Sequence, residues 1–291
     1  MAATATSRML LLSRKRRRSA MDPIVPTERV RPVQVAEDTW LIRQFIHGVL
    51  PVSAFINSLV IKGREPVIVD TGSRPNRTAW MEDVFGLVEP DDVRWVFLSH
   101  DDHDHTGNLR EVLEMCPNAT LVTNWLAVER LAIDIALPLD RVRWVNDGES
   151  FDAGDRTLVA VRPPLFDSPT TRGLFDARTR NYWAADCFAT PVLEATENVA
   201  DLDPGFWREG ISSFNRMNSP WHQWLDAAKW GRELDRLQAL GITSITNGHG
   251  PVTSGMYVQE AYNLLRRLPD EAPFVSLGQS DLDTIVNSVA A

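Results

Sequence analysis

Ser99-His100-Asp101-Asp102-His103-Asp104-His105-Thr106-Gly107-Asn108 is the stretch on which the reading of this chain turns. From His100 to His105, every residue is of a type that binds metals or moves protons. The run before it, Val93-Arg94-Trp95-Val96-Phe97-Leu98, is apolar, rich in β-formers and of strand length, and Leu109 to Leu113 reads as part of a helix. The polar run therefore falls in a tight loop at the C-terminal end of a buried strand, where open α/β sheets place their chemistry. A solvated acidic loop needs neither three imidazoles nor a buried strand leading into it. The pattern predicts a metal site.

Working outward, the same layout returns at 242–252, a β-rich run ending in Asn247-Gly248-His249-Gly250-Pro251. The flanking glycines are expected to let the backbone turn sharply behind the imidazole. Between the two lies an apolar strand at 181–188 with Asp186 near its end, and a charge there needs a partner. Ahead of the metal loop, strands are expected at 31–36, 39–45, 54–62 and 66–70, with a turn at Asp70-Thr71-Gly72. Helices are expected at 76–88, 106–115, 125–133, 221–240 (ending at Gly241) and 255–268, and a strand at 120–123. Trp144-Val145 and the run 158–161 are assigned to a second, antiparallel-rich sheet. Residues 190–220, broken by Asp203-Pro204-Gly205 and Ser219-Pro220, read as an irregular packed loop in preference to a lid. His222 reads as structural.

A chain of 291 residues with 44% apolar content can bury a substantial core. Its net charge of -9 argues against nucleic acid as a general partner. The two cysteines, Cys116 and Cys187, are far apart and lack any C-x-x-C spacing. Neither a disulfide framework nor a cysteine-built cluster is expected, and a reducing cytoplasm is the expected setting. No apolar stretch approaches the roughly 20 residues that span a bilayer, so no membrane partner is expected. Residues 1–27 carry the basic run Arg14-Lys15-Arg16-Arg17-Arg18 and read as a disordered tail, with Met1 and Met21 both open as the start. The expected organisation is that tail, one domain at 28–268, and a C-terminal tail at 269–291.

Strand-Ser-His-x-x-x-Asp-His-Thr-Gly-Asn resembles the metal-binding loop of the metallo-β-lactamase fold, whose usual pattern is His-x-His-x-Asp-His. Asp102 holds the place of the second histidine, where flavodiiron proteins and their oxygen-binding diiron relatives carry a carboxylate, usually Glu. The run Phe55 to Ile61 followed by Val67-Ile68-Val69-Asp70-Thr71-Gly72 resembles the opening of the fold, and Gly248-His249-Gly250-Pro251 its last metal motif. The resemblance implies an α/β protein, a four-layer αββα sandwich. Carried over position by position, it implies a first metal on His100, Asp102 and Asp167, a second on Asp104, His105 and His249, and Asp186 as the bridge. Asp167 stands in Arg162-Pro163-Pro164-Leu165-Phe166-Asp167-Ser168-Pro169, where those families supply a histidine and this sequence has none; an Asx-turn is its other reading. His103 falls at a variable position and is left out. Asp70 is expected beneath the metals, either orienting a ligand or simply forming a turn.

Four carboxylates would balance two divalent ions. Zinc favours imidazole and thiolate, whereas oxygen-rich sites suit iron or manganese. Two metal ions are thus expected, iron favoured, with zinc or manganese open. The expected function is a di-iron centre that binds or reduces dioxygen or a related small oxidant. The alternatives are a zinc-dependent hydrolase of an ester, lactone, thioester or phosphoester, and a non-catalytic sensor. Flavodiiron oxidases carry a flavodoxin-like domain after the metal domain, and the roughly 40 residues after His249 are too few for one. A separate electron donor is therefore expected beside the small-molecule substrate. A homo-oligomer is left open, and no catalytic residue is assigned.

Overall fold

The computed structural model describes residues 27–48 and 52–290, so the basic run and its reading as a tail lie outside the described residues. The chain opens as an antiparallel meander: β1 (Thr27–Ala36), β2 (Thr39–His47), β3 (Ser53–Ile61) and β4 (Val67–Val69). It then becomes parallel through β5 (Trp95–Phe97), β6 (Thr120–Thr123) and β7 (Val142–Trp144), because helices now carry the crossovers. These are α1 (Arg77–Phe85), α2 (His103–Thr106), α3 (Leu109–Met115) and α4 (Trp125–Leu131). The strands lie in sequence order across one sheet.

A second sheet holds β8 (Ser150–Asp152), β9 (Thr157–Val161), β10 (Gly173–Asp176), β11 (Asn181–Trp183), β12 (Ser244–Thr246) and β13 (Thr253–Ser254). Only β11 and β12 pair in parallel. The crossover between them contains α5 (Pro204–Asn218) and α6 (Ala227–Gln238), and α7 (Met256–Arg266) follows β13.

The two-residue period of a strand sorts the core into layers. Val60, Ile68, Val96 and Leu121 pack outward against Trp80, Val84, Leu109 and Val112 of the first helical layer. Their neighbours Leu59, Val69, Phe97 and Val122 face inward, against Phe151, Leu158, Leu174 and Trp183 of the second sheet. On the far side, Tyr182 and Ile245 meet Trp207, Ile211, Trp230, Leu234 and Leu265. The result is the expected αββα sandwich. Among the described residues, no helix is long and apolar enough to cross a membrane.

Local departures from the sequence reading have identifiable causes. Residues 204–218 form a helix of 15 residues instead of an irregular loop. Asp203 is its N-cap, accepting from Phe206 N at 2.8 Å, and Pro204 occupies the first turn, where its missing N–H costs nothing. The helix expected over 221–240 is split: Pro220–Trp224 is a 3-10 turn, Leu225 is extended, and α6 starts only after the cap Asp226. Trp144 closes the first sheet as part of β7 and does not belong to the second. The strand at 181–188 ends at Trp183, which leaves Asp186 in the turn beyond it. The segment read as a C-terminal tail includes α8 (Gln279–Ala290).

Candidate metal centre

The site lies at the C-terminal ends of β4, β5, β9, β11 and β12, where the two sheets meet. Backbone bonds first fix the metal loop. Asp102 O receives the N–H groups of His105 and Thr106, both at 3.0 Å, closing one helical turn that turns Asp104 and His105 inward. His103, on the same turn, is exposed. Gly107 lets this turn press on the Asp70-Thr71-Gly72 loop: a Cβ there would lie 2.6 Å from Gly72 O and Arg74 N.

Asp186 occupies the middle. Its Oδ1 lies 3.1 Å from His105 Nε2 and 3.2 Å from His249 Nε2, and its Oδ2 lies 3.5 Å from His100 Nε2. Asp104 Oδ2 is 3.4 Å from His249 Nε2, and Asp102 Oδ2 is 3.7 Å from His100 Nε2. The donor atoms fall into three overlapping sets, each within 4.8 Å: His100, Asp102 and Asp167; Asp104, His105 and His249; and His100, His105 and Asp186. The structure thus brings all seven expected residues together.

Each imidazole is oriented from behind. His105 Nδ1 lies 2.8 Å from Asp70 Oδ2, and His249 Nδ1 lies 2.9 Å from the carbonyl of Phe55. His100 Nδ1 lies 3.0 Å from Ser99 Oγ, which itself donates to Asp70 Oδ2 at 2.7 Å and so must accept from the ring. Each of these three rings therefore turns Nδ1 to its supporting oxygen and Nε2 towards Asp186, which leaves Nε2 free for a metal once it sheds its proton. His100 Nε2, His105 Nε2 and Asp186 Oδ1 are buried and, despite their short separations, make no hydrogen bond with good geometry. Atoms that approach one another yet point at a common centre fit a cation between them. Buried polar atoms without a partner are otherwise costly.

The electrostatics agree. Burial opposes ionisation of Asp186, but His249, His100 and His105 outweigh it and hold the carboxyl well below its usual range. Burial equally opposes a charged His249, yet Asp186 and Asp104 raise it to about 9. His105 is also raised, against its own burial, by Asp70, Asp104 and Asp186. Asp167 moves the other way: desolvation, then the Asp186 charge, push it up. Asp167 thus stands against the Asp186 charge, a repulsion that a bound cation would relieve.

Two supporting residues were not singled out in the sequence. Asn57, fully buried in β3, donates to Asn247 O and Gly250 O, both at 2.9 Å, and thereby shapes the His249 loop. An asparagine inside Phe55-Ile56-Asn57-Ser58-Leu59 was the available signal, since a buried polar side chain must be bonded. Trp183 Nε1 donates to Asp70 Oδ2 at 3.1 Å, tying the second sheet to the ligand support of the first. The glycines around His249 act through space: neither has a positive φ, and a Cβ on Gly248 would lie 2.8 Å from His105 Cε1 and 3.1 Å from Asp186 Oδ1. His222 is buried, bonded through Nδ1 to Leu268 O, and belongs to the packing.

An αββα fold with metal-binding side chains gathered at its strand ends is that of the β-lactamase-like proteins. The family model described as ODP family beta lactamase matches residues 55–250, and the chain belongs to that family. A putative diflavin flavoprotein A 1 of Nostoc sp. is 27% identical over 235 residues, covering 77% of this chain and 39% of that protein. Type A flavoprotein fprA of Rhodobacter capsulatus is 24% identical over 199 residues, covering 67% of this chain and 44% of that protein. The chain therefore spans less than half the length of these curated relatives. Among solved structures, rubredoxin oxygen:oxidoreductase from Desulfovibrio gigas superposes with a TM-score of 0.73 at 16% identity, over 84% of this chain and 62% of that one. The flavodiiron protein from Giardia intestinalis gives 0.69 at 17% identity, over 83% and 60%.

Proposed function

We propose that His100, Asp102 and Asp167 hold one metal ion, that Asp104, His105 and His249 hold a second, and that Asp186 bridges them. We further propose that the ions are iron and that the reduced pair binds or reduces dioxygen or a related small oxidant. The observation that carries this reading is the gathering of three imidazole Nε2 atoms and four carboxylates into overlapping sets that share His100 and His105, with the buried Asp186 between them. The carboxylate-rich donor set and the flavodiiron relatives favour iron over the zinc of a hydrolase.

Bound iron would supply reversible one-electron chemistry and open coordination positions for a small ligand. The chain's own residues prepare that role. Asp70 keeps the proton of His105 on Nδ1 and makes its Nε2 more basic. Phe214 of α5 lies with its ring centroid 5.8 Å from that of His249, and the Phe166 and Trp221 rings meet at 5.3 Å beside Asp167. These rings give the site apolar neighbours that suit a small apolar oxidant. No residue here is assigned as an acid or base. Electrons come from a redox partner, in a reducing cytoplasm that suits the two free cysteines.

The test is to load metal-free chain with ferrous iron under anaerobic conditions and then mix it with air-saturated buffer and excess chemical reductant. Oxygen uptake that depends on iron, and that is lost in Asp186→Ala, is expected. No uptake, together with ester hydrolysis by zinc-loaded chain, would replace this reading with the hydrolytic one.

A further inference from the structure

We infer that Asp101, Arg130, Ser168 and Thr170 form a clamp that sets Asp167 against the first metal position, an inference that rests on the ligand assignment above. Asp167 is exposed, and no neighbouring side chain donates a hydrogen bond to its carboxylate among the bonds of the described residues. A side chain with two torsions and no such support takes its position from its backbone. That backbone belongs to the loop between β9 and β10, and the loop is fastened on both sides of Asp167.

On the N-terminal side, Trp221 Nε1 donates to Phe166 O at 3.3 Å. On the C-terminal side the fastening is denser and is made to the metal loop itself. Thr170 Oγ1 donates to Asp101 Oδ1 at 2.6 Å, and Ser168 Oγ lies 2.7 Å from Thr170 Oγ1. Arg130, from α4, places Nη1 3.3 Å from both oxygens of Asp101 and 3.2 Å from Ser168 Oγ. Asn124 Nδ2 donates to Thr170 O, and Arg172 N donates to Ser99 O at 2.7 Å. Asp101 and Asp102 are adjacent, as are Ser168 and Asp167. The Asp101-Thr170-Ser168 contact therefore joins the residue beside one ligand of the first metal to the residue beside another.

The clamp's side chains bear on the first-metal half of the site. His105 and His249 are held instead by Asp70 and Phe55 O, neither of which is bonded to Asp101, Arg130, Ser168 or Thr170. Ser168 and Thr170 are buried, so their hydroxyls have no water to fall back on, and the charge-assisted bond from Thr170 to Asp101 is of the strong kind. Asp101, Ser168 and Thr170 are thus positioning residues for the first metal, and the two metal positions can be uncoupled by mutation.

The experiment is an anaerobic ferrous-iron titration of the metal-free full chain, comparing wild type with Thr170→Val, Thr170→Ser and Asp167→Ala. Thermal unfolding of each metal-free variant accompanies it. Thr170→Val keeps the shape and removes the hydroxyl. It should weaken one iron position by about 10- to 100-fold, as loss of a ligand-supporting bond typically does, and leave the other unchanged. Thr170→Ser should restore both. Wild-type binding of both irons by Thr170→Val, with one position lost in Asp167→Ala, would overturn the clamp and leave the ligand assignment standing. Wild-type binding by Asp167→Ala would overturn both. Equal weakening of both positions in Thr170→Val, with a lowered unfolding temperature, would mark the network as general scaffolding and also overturn the clamp.

Discussion

Asp70→Asn removes one charge and almost no volume from the most heavily used acceptor in the site. Asp70 is fully buried and accepts from Ser99 N (2.7 Å), Ser99 Oγ (2.7 Å), His105 Nδ1 (2.8 Å) and Trp183 Nε1 (3.1 Å). Its φ of 58° lies in the left-handed region, which asparagine adopts readily, so the backbone is not perturbed. An amide has a single acceptor oxygen. If that oxygen takes the Oδ2 place, with its three donors, the NH2 group faces the Ser99 N–H and leaves it unsatisfied. An unmet buried donor costs about 1–3 kcal/mol, and the three remaining bonds lose their charge assistance, for a total near 3 kcal/mol. For a domain of this size that corresponds to a drop of about 6–12 °C in unfolding temperature. The bond behind His105 also weakens, and affinity for the second metal should fall about 10- to 100-fold. Thermal unfolding of metal-free protein and competitive metal titration measure the two effects separately. A loss below about 0.5 kcal/mol with unchanged metal affinity would refute the assignment of Asp70 as the support of His105.

Other consequences are equally direct. In metal-free protein the raised His249, about 9 despite its burial, stabilises the fold fully below the unfolded-state value near 6.5, and this contribution is lost as pH rises through about 9. His100 and His105 are raised too and act in the same sense, so the urea midpoint in the presence of a chelator should fall across that window; a flat profile would contradict the electrostatic account. Metal affinity should rise over the same window, because the rings must shed protons to coordinate. Burial pushes the thiol of Cys116 up to about 11 and that of Cys187 to about 12, so a thiol reagent at neutral pH should label neither in the native state and both after denaturation. Asp203→Ala should cost about 1 kcal/mol through loss of the α5 cap, read from urea unfolding.

How much was legible follows from how local each signal is. The metal loop could be read because its six polar residues run unbroken from a buried strand into a helical turn, and His249 because a second strand ends the same way. Asp186 was visible as a lone charge after an apolar run, although the strand stops sooner than its apolar content suggests: Ala185 and Phe188 both have positive φ and bend the chain around the carboxylate. The helix at 204–218 was missed because Asp-Pro-Gly was read as a break when Asp203 and Pro204 start the helix. The split at Asp226 was hidden by leucines that keep a helical period through a turn. The network of Arg130, Ser168 and Thr170 around Asp101 had no sequence signal, since two loops and a helix must first be brought together by the sheets.

The central claim, that seven side chains hold two metal ions, is tested most directly by counting metals bound to the chain during an anaerobic ferrous titration, in wild type and in His249→Ala. Two equivalents for wild type and one for the variant, with His100, Asp102 and Asp167 retaining theirs, is the predicted result. One equivalent or none for wild type, or an unchanged count in His249→Ala, would contradict it.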